Sequence, residues 1–132
     1  MKYLLDTNIC IYIIKKNPSK VIEKFRRLKP GSVAISSITV SELYYGVYKS
    51  SRQNENMIAL QEFLQPLEVL DFCLEDALEY GKIRTQLEEK GKLVGAMDLL
   101  IASIAKRNNL ILVTNNTKEF TRIPELICEN WI

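Results

Sequence analysis

Residues 3–14 read YLLDTNICIYII, a short apolar run, one carboxylate, and a second apolar run that meets no other charge before Lys15. A continuously apolar strand leading straight into a helix is the pattern of a parallel sheet covered on both faces. Residues 3–5 are therefore expected to be a buried strand, and a helix is expected over about 7–16 with Asp6 and Thr7 as caps. A lone carboxylate in apolar surroundings is costly unless donors or a cation receive it. Asp6 thus poses a structural question and a chemical one.

The same alternation continues along the chain. A second helix is expected after Pro18 and Ser19, and VAIS, residues 33–36, reads as a short buried strand after Pro30 and Gly31. ITVSELYYGVYKS carries a helical pattern to about residue 49, and the polar KSSRQNEN, residues 49–56, reads as an exposed loop. MIALQEFLQ then reads as helix, LEVLDF after Pro66 as a third strand, and about 75–90 as an amphipathic helix. Gly91 and Gly95 frame a loop before AMDLLIASIAKRNN, a nearly all-apolar helix. LILVT at 110–114 is a strand and LICEN a last edge strand. Without a repeat, low-complexity tract or linker, residues 1–132 are expected to form a single three-layer α/β domain around a parallel sheet.

The totals agree with one core. A chain of 132 residues buries roughly two thirds of the surface its unfolded form exposes. With 47% hydrophobic and 26% charged residues the composition is globular, and no apolar run approaches a membrane span of about 20 residues. The N-terminus has one lysine, is interrupted by Asp6 and Asn8, and lacks a small-residue cleavage site, so a cytoplasmic protein without a secretory leader is expected. Cys10, Cys73 and Cys128 are odd in number, far apart and set in apolar segments, which favours reduced core thiols over disulfides or a zinc site. Residues 15–30, KKNPSKVIEKFRRLKP, hold seven basic residues and one acid. Such a segment is a phosphate track, a docking surface or a solvated face.

The chain has no histidine, which excludes His-based acid–base catalysis and Ser-His or Cys-His nucleophiles. No phosphate loop, GxGxxG or GxSxG occurs either. The carboxylates remain. Asp6 closes the first strand, at the edge where open α/β sheets place ligands. Glu42 follows the second strand, and TVSE at 39–42 fits a capping box in which Glu42 bonds back to Thr39. Asp98 is the only charge in residues 96–105. Asn115 and Asn116 can shape an Asx turn, and Glu119 can reach back to the same edge. Clustered carboxylates repel one another, and a hard divalent cation relieves that repulsion; all-oxygen ligands select magnesium or manganese over zinc.

LLDTNICI, SSITVSELYYG, GAMDLLIASIA and LVTNNTKEF resemble, in order and spacing, the four motifs of PIN-domain ribonucleases, most closely the VapC toxins of bacterial toxin–antitoxin pairs. The resemblance spans nearly the whole chain. It implies a roughly five-stranded parallel sheet flanked by helices and a Mg²⁺- or Mn²⁺-dependent endoribonuclease that cleaves structured RNA, chiefly tRNA, to inhibit translation. It implies Asp6, Glu42 and Asp98 as the metal-binding and catalytic acids, with Thr7, Asn8 and Thr114 as polar supports. Where the family often has a fourth acid this sequence has Asn116, with Glu119 three residues on, and both stand as candidates. Dimers and a small VapB-like antitoxin that covers the active site are further implications. Lys15, Lys16, Lys20, Lys24, Arg84, Lys90 and Lys92 are the candidate RNA-phosphate contacts. Two other readings compete: a haloacid-dehalogenase-like phosphatase with Asp6 as nucleophile, disfavoured by Asn8 in place of a second Asp, and a non-catalytic RNA-binding module.

Overall fold

A computed structural model describes residues 1–132. The chain alternates β1 (Tyr3–Leu5), α1 (Thr7–Lys15), α2 (Ser19–Arg26), β2 (Val33–Ser36), α3 (Ser37–Lys49), α4 (Gln53–Leu64) and β3 (Glu68–Leu70), followed by α5 (Leu74–Glu89), α6 (Ala96–Arg107), β4 (Ile111–Val113), α7 (Thr117–Phe120) and β5 (Cys128–Glu129). All strand pairs are parallel, in the order β3-β2-β1-β4-β5. No helix is long and apolar enough to cross a membrane.

The strands are short and apolar because both faces of the sheet are covered. On one face Tyr3, Leu5, Ile35 and Val113 pack with Ile9 and Ile13 of α1, Val21 of α2, Leu43 of α3 and Leu60 of α4. On the other, Leu4, Ala34 and Leu112 pack with Ile83 and Leu87 of α5 and with Ile101, Ala102 and Ile104 of α6. Successive strand residues thus enter opposite cores, as the two-residue period of a strand requires. The strand order reverses between β1 and β4, so the carboxyl ends of these neighbours flank the topological switch point, where such sheets bind ligands. Asp6 follows β1 there and Thr114 follows β4.

Four expectations change. Residues 53–56 are not loop but the first turn of α4; only 50–52 connect the helices, and Gln53 Nε2 donates to Tyr48 O (2.8 Å) while Asn56 Nδ2 donates to Ser50 Oγ (2.9 Å). A polar run here marks a solvated helix start. The third strand shrinks to an exposed three-residue edge. Only Cys10 is a core thiol; Cys73 and Cys128 are half-buried, and all three are free. The cap of α3 is Ser36, whose Oγ accepts from Thr39 N (3.0 Å). Glu42 therefore lies beyond the first turn, too far along the helix to close the expected capping box.

Candidate active site

Asp6 is the N-cap of α1 and is 5% exposed. Its Oδ1 accepts from Ile9 N (3.0 Å), and its Oδ2 accepts from Thr114 Oγ1 (2.5 Å). The helix start and the neighbouring strand thus each take one oxygen. Burial nevertheless pushes its carboxyl above the usual range, with the Glu42 charge adding to the push; the bonds from Thr114, Ile9 and the Asn8 backbone only partly offset this. The Asn8 side chain is exposed.

Glu42 projects from the second turn of α3 and accepts from Thr7 Oγ1 (2.5 Å), which also lies 3.4 Å from Thr39 Oγ1. Adjacent residues Asp6 and Thr7 thereby tie β4 and α3 to one point. Ser36 and Thr39, both fully buried, complete this hydroxyl network, and Ser36 Oγ donates to Thr39 Oγ1 (3.2 Å). The sequence signal was a run of small hydroxyl residues immediately after an apolar strand, legible as a cap and not as a support for Glu42.

Asp98 sits in the first turn of α6, where the helix dipole favours an anion. Its carboxyl is nonetheless pushed up to about 6, chiefly by burial and then by the charges of Glu119, Asp6 and Glu42. Gly95 gives α6 no side-chain cap; Glu119 Oε1 supplies the acceptor from outside, at 2.7 Å from Gly95 N. A methyl group on Gly95 would stand 3.7 Å from that oxygen and 3.8 Å from Asp98 Oδ2, so both acids crowd one point. Asn116 Nδ2 donates to the other oxygen of Glu119 (2.7 Å).

The expected Asx turn is replaced by one in which Thr114 Oγ1 accepts from Asn116 N (3.0 Å), and Asn115 Nδ2 instead donates to Tyr12 OH (2.9 Å). Tyr12 was not a candidate in the sequence, where it reads as one more apolar position of α1. Of the predicted cations, Lys15 lines a groove of about 270 Å³ shared with Glu42, with the apolar Ile11, Ile14, Leu43, Val47 and Leu60, and with Ser50 and Asn56. Lys16 is exposed at the left-handed end of α1. Lys20 and Lys24 share a second recess. Arg84 bonds Tyr80 OH (3.1 Å) and Glu88 (3.7 Å) on α5, and Lys90 and Lys92 are exposed beyond that helix.

As the side chains stand, no three acids converge into a ready-made metal-ligand group. Asp6, Glu42 and Glu119 each accept from neutral donors. None of Asp6, Glu42, Asp98 or Glu119 is ion-paired; the salt bridges use Glu129, Glu55, Glu88, Glu79 and Asp76. Asp76 is the internal contrast. It is completely buried yet its carboxyl is lowered, because Arg107 and the Cys73 backbone outweigh the largest single influence, burial. The fold can neutralise a buried carboxylate with its own arginine, and at the switch point it does not. Four unpaired, all-oxygen carboxylates on separate elements suit a hard divalent cation.

A family profile described as PIN domain matches residues 3–126. The chain is 51% identical to "Ribonuclease VapC2" of Rickettsia felis, covering 99% of this chain and 98% of that protein. It is 43% identical to "tRNA(fMet)-specific endonuclease VapC" of Shigella flexneri, again over 99% and 98%. Among solved structures, VapBC2 of Rickettsia felis bound to a promoter DNA fragment matches with TM-score 0.93 at 49% identity over 100% of both chains. DNA-bound VapBC of Salmonella typhimurium matches with TM-score 0.94 at 42% identity over 100% of this chain and 99% of that one.

Proposed function

The chain belongs to the PIN-domain family, among the VapC ribonucleases of toxin–antitoxin pairs, and from this we propose that Asp6, Glu42, Asp98 and Glu119 hold a divalent cation with which the protein cuts RNA. The observation that carries the reading is that Asp98 lies within the charge influence of Glu119, Asp6 and Glu42 while no lysine or arginine pairs with any of the four. When bound, Mg²⁺ or Mn²⁺ supplies Lewis acidity that activates water and stabilises charge on the leaving oxygen. The chain's own groups set the ligands. Thr114 fixes one Asp6 oxygen, Thr7 fixes Glu42, and Asn116 holds Glu119. We assign the fourth acidic position to Glu119 and a positioning role to Asn116, whose amide is already committed to that carboxylate.

Attack by water leaves 5′-phosphate and 3′-hydroxyl ends. The 2′-hydroxyl route used by many metal-free nucleases calls for a general base, and the chain has no histidine for it. The phosphatase reading loses ground because the residue two after Asp6 is the exposed Asn8 and not a second aspartate. The substrate we propose is structured RNA, a tRNA first, since relatives 43% identical to this chain are named tRNA(fMet)-specific endonucleases. Cleavage then inhibits translation in the cytoplasm. A VapB-like antitoxin neutralises the enzyme by placing a basic side chain among the acids and apolar side chains in the groove that Glu42 shares. Homodimers of the chain form the scaffold of that complex.

The test is to map RNA 5′ ends after a short expression pulse of wild type and of Asp98→Asn. New ends carrying 5′-phosphate in wild type alone are expected. Cuts shared by both proteins would remove Asp98 from catalysis, and 2′,3′-cyclic phosphates would defeat attack by activated water.

A further inference from the structure

Helix α2 carries a row of cations, of which Lys24 and Arg27 suit its C-terminal end while Lys20 does not. Lys20, Lys24 and Arg27 stand at i, i+4 and i+7, on one face. The opposite face is anchored: Val21 is fully buried and the Phe25 ring lies 6.2 Å from that of Phe63. Lys20 is the second residue of the helix, at the end whose free N–H groups repel a cation, and no acid stands in that turn. The charge row, with Glu23, Glu129 and Asn130, lines an open recess of about 270 Å³. Its one ion pair, Lys24 to Glu129 at 3.9 Å, is long and partly exposed, so the pair does not explain the row.

Its place in the fold is fixed by backbone bonds. Glu129 ends β5, its carbonyl accepts from Thr114 N (3.0 Å), and the Thr114 hydroxyl holds Asp6. Through Glu129 the recess adjoins the strand whose neighbour carries Thr114, and through Trp131, whose ring lies 5.6 Å from that of Tyr3, it extends back along the sheet. A carboxylate cluster repels RNA, so affinity for the backbone must come from elsewhere. Residues 15–30 carry net +6 while the chain as a whole carries +2. Arg84, by contrast, is paired on α5 against the opposite face of the sheet.

We propose that Lys20, Lys24, Arg27 and Asn130 form a built-in grip for backbone phosphates of the RNA flanking the cut, on the β5 side of the acids. The proposal rests on the ribonuclease reading and adds where the substrate is held. Because α2 is anchored in the core, the grip is pre-formed and acts on binding rather than on the chemical step.

The test uses tRNA as the probe. In an Asp98→Asn background, which blocks cutting, binding is measured across salt for Lys20→Gln/Lys24→Gln/Arg27→Gln and for Arg84→Gln/Lys90→Gln/Lys92→Gln. The first set should weaken binding roughly 10- to 100-fold at 0.1 M salt and flatten the log–log salt slope by about 2, at about 0.7 to 0.9 per phosphate. The second set should leave the slope in place. With Asp98 intact, the first set should raise KM and spare kcat, and Lys20→Gln alone should not lower the melting temperature, because the cation it removes is unfavourable to the helix start. An unchanged slope with active wild type overturns the grip alone, as does loss of antitoxin binding with RNA binding intact, which would make this face a protein-docking surface. A wild-type chain that neither binds nor cuts RNA overturns the ribonuclease reading itself.

Discussion

Asp76 and Asp98 are two carboxylates in one fold with opposite fates, and the difference is testable by pH. Asp98 is raised from an ordinary 3.8 to about 6, so the folded, metal-free protein holds that proton more tightly than the unfolded chain. Its ionisation therefore costs stability, fully above pH 6, and the cost fades as pH falls through 6 towards 4. After discounting for partial exposure, the effect of this shift is about 1 to 2 kcal/mol. Asp98→Asn should remove it, making the metal-free protein more stable at pH 7 and flattening the pH dependence between 4 and 7. Asp76, whose carboxyl is lowered, contributes with the reverse sign, but it is common to both proteins and cancels in the difference. Mn²⁺ should raise the melting temperature of wild type by mass action and that of Asp98→Asn much less. Thermal melts in EDTA and in Mn²⁺ check both points; equal Mn²⁺ shifts would detach Asp98 from any metal site. Thr114→Val is the companion experiment. It keeps the shape, strands Asp6 Oδ2 without its donor, and should cost about 1 to 2 kcal/mol in metal-free melts at pH 7.

Among the elements, α5 and α6 show how a charge can serve architecture alone. Asp76 accepts from Cys73 N (3.0 Å) at the start of α5 and from the Arg107 guanidinium at the end of α6, so it closes one helix and clamps it to the next. Asp76→Ala leaves the Arg107 charge against a cavity and the cap unmade. A loss of about 2 to 4 kcal/mol in a denaturant melt is expected, with the RNA cut per folded molecule unchanged. A comparable loss of kcat would contradict the purely architectural assignment. This pair was not legible in the sequence, because residues 76 and 107 are joined only by the packing of two helices. The elements themselves were legible wherever composition and burial agree: VAIS and LILVT are continuous apolar runs because both sheet faces are covered. Sequence misled at residues 53–56, where polarity signalled solvent and not the absence of a helix. It misled again at Glu42, where a local four-residue capping pattern competed with Ser36, which the strand end had already placed at the cap.

At the scale of the whole molecule, the acids were legible because Asp6 ends an apolar strand, Glu42 and Glu119 lie on the helices that follow strands, and Asp98 is the one charge opening the apolar helix α6. What binds them to their supports was not, since the Thr7–Glu42 and Thr114–Asp6 bonds span 35 and 108 residues. The Glu119–Gly95 bond spans 24 and likewise exists only in the folded chain. Two surfaces then meet at Glu42, the acidic centre and the apolar groove of Ile11, Ile14, Leu43, Val47 and Leu60. An antitoxin that uses both should show two separable contributions to its affinity. Contact of its basic side chain with the acids is electrostatic and partly exposed, so it weakens as the screening length falls from about 10 Å at 0.1 M salt to about 3 Å at 1 M. Burial in the groove is apolar and is not weakened by salt. The complex should therefore lose affinity between 0.1 and 1 M salt but reach a plateau instead of dissociating. Glu42→Gln should lower the affinity at 0.1 M salt and shrink the salt dependence while leaving the plateau in place. Titration calorimetry of the purified pair across salt reads both terms, and an affinity indifferent to salt in wild type would remove the basic side chain from the acidic centre.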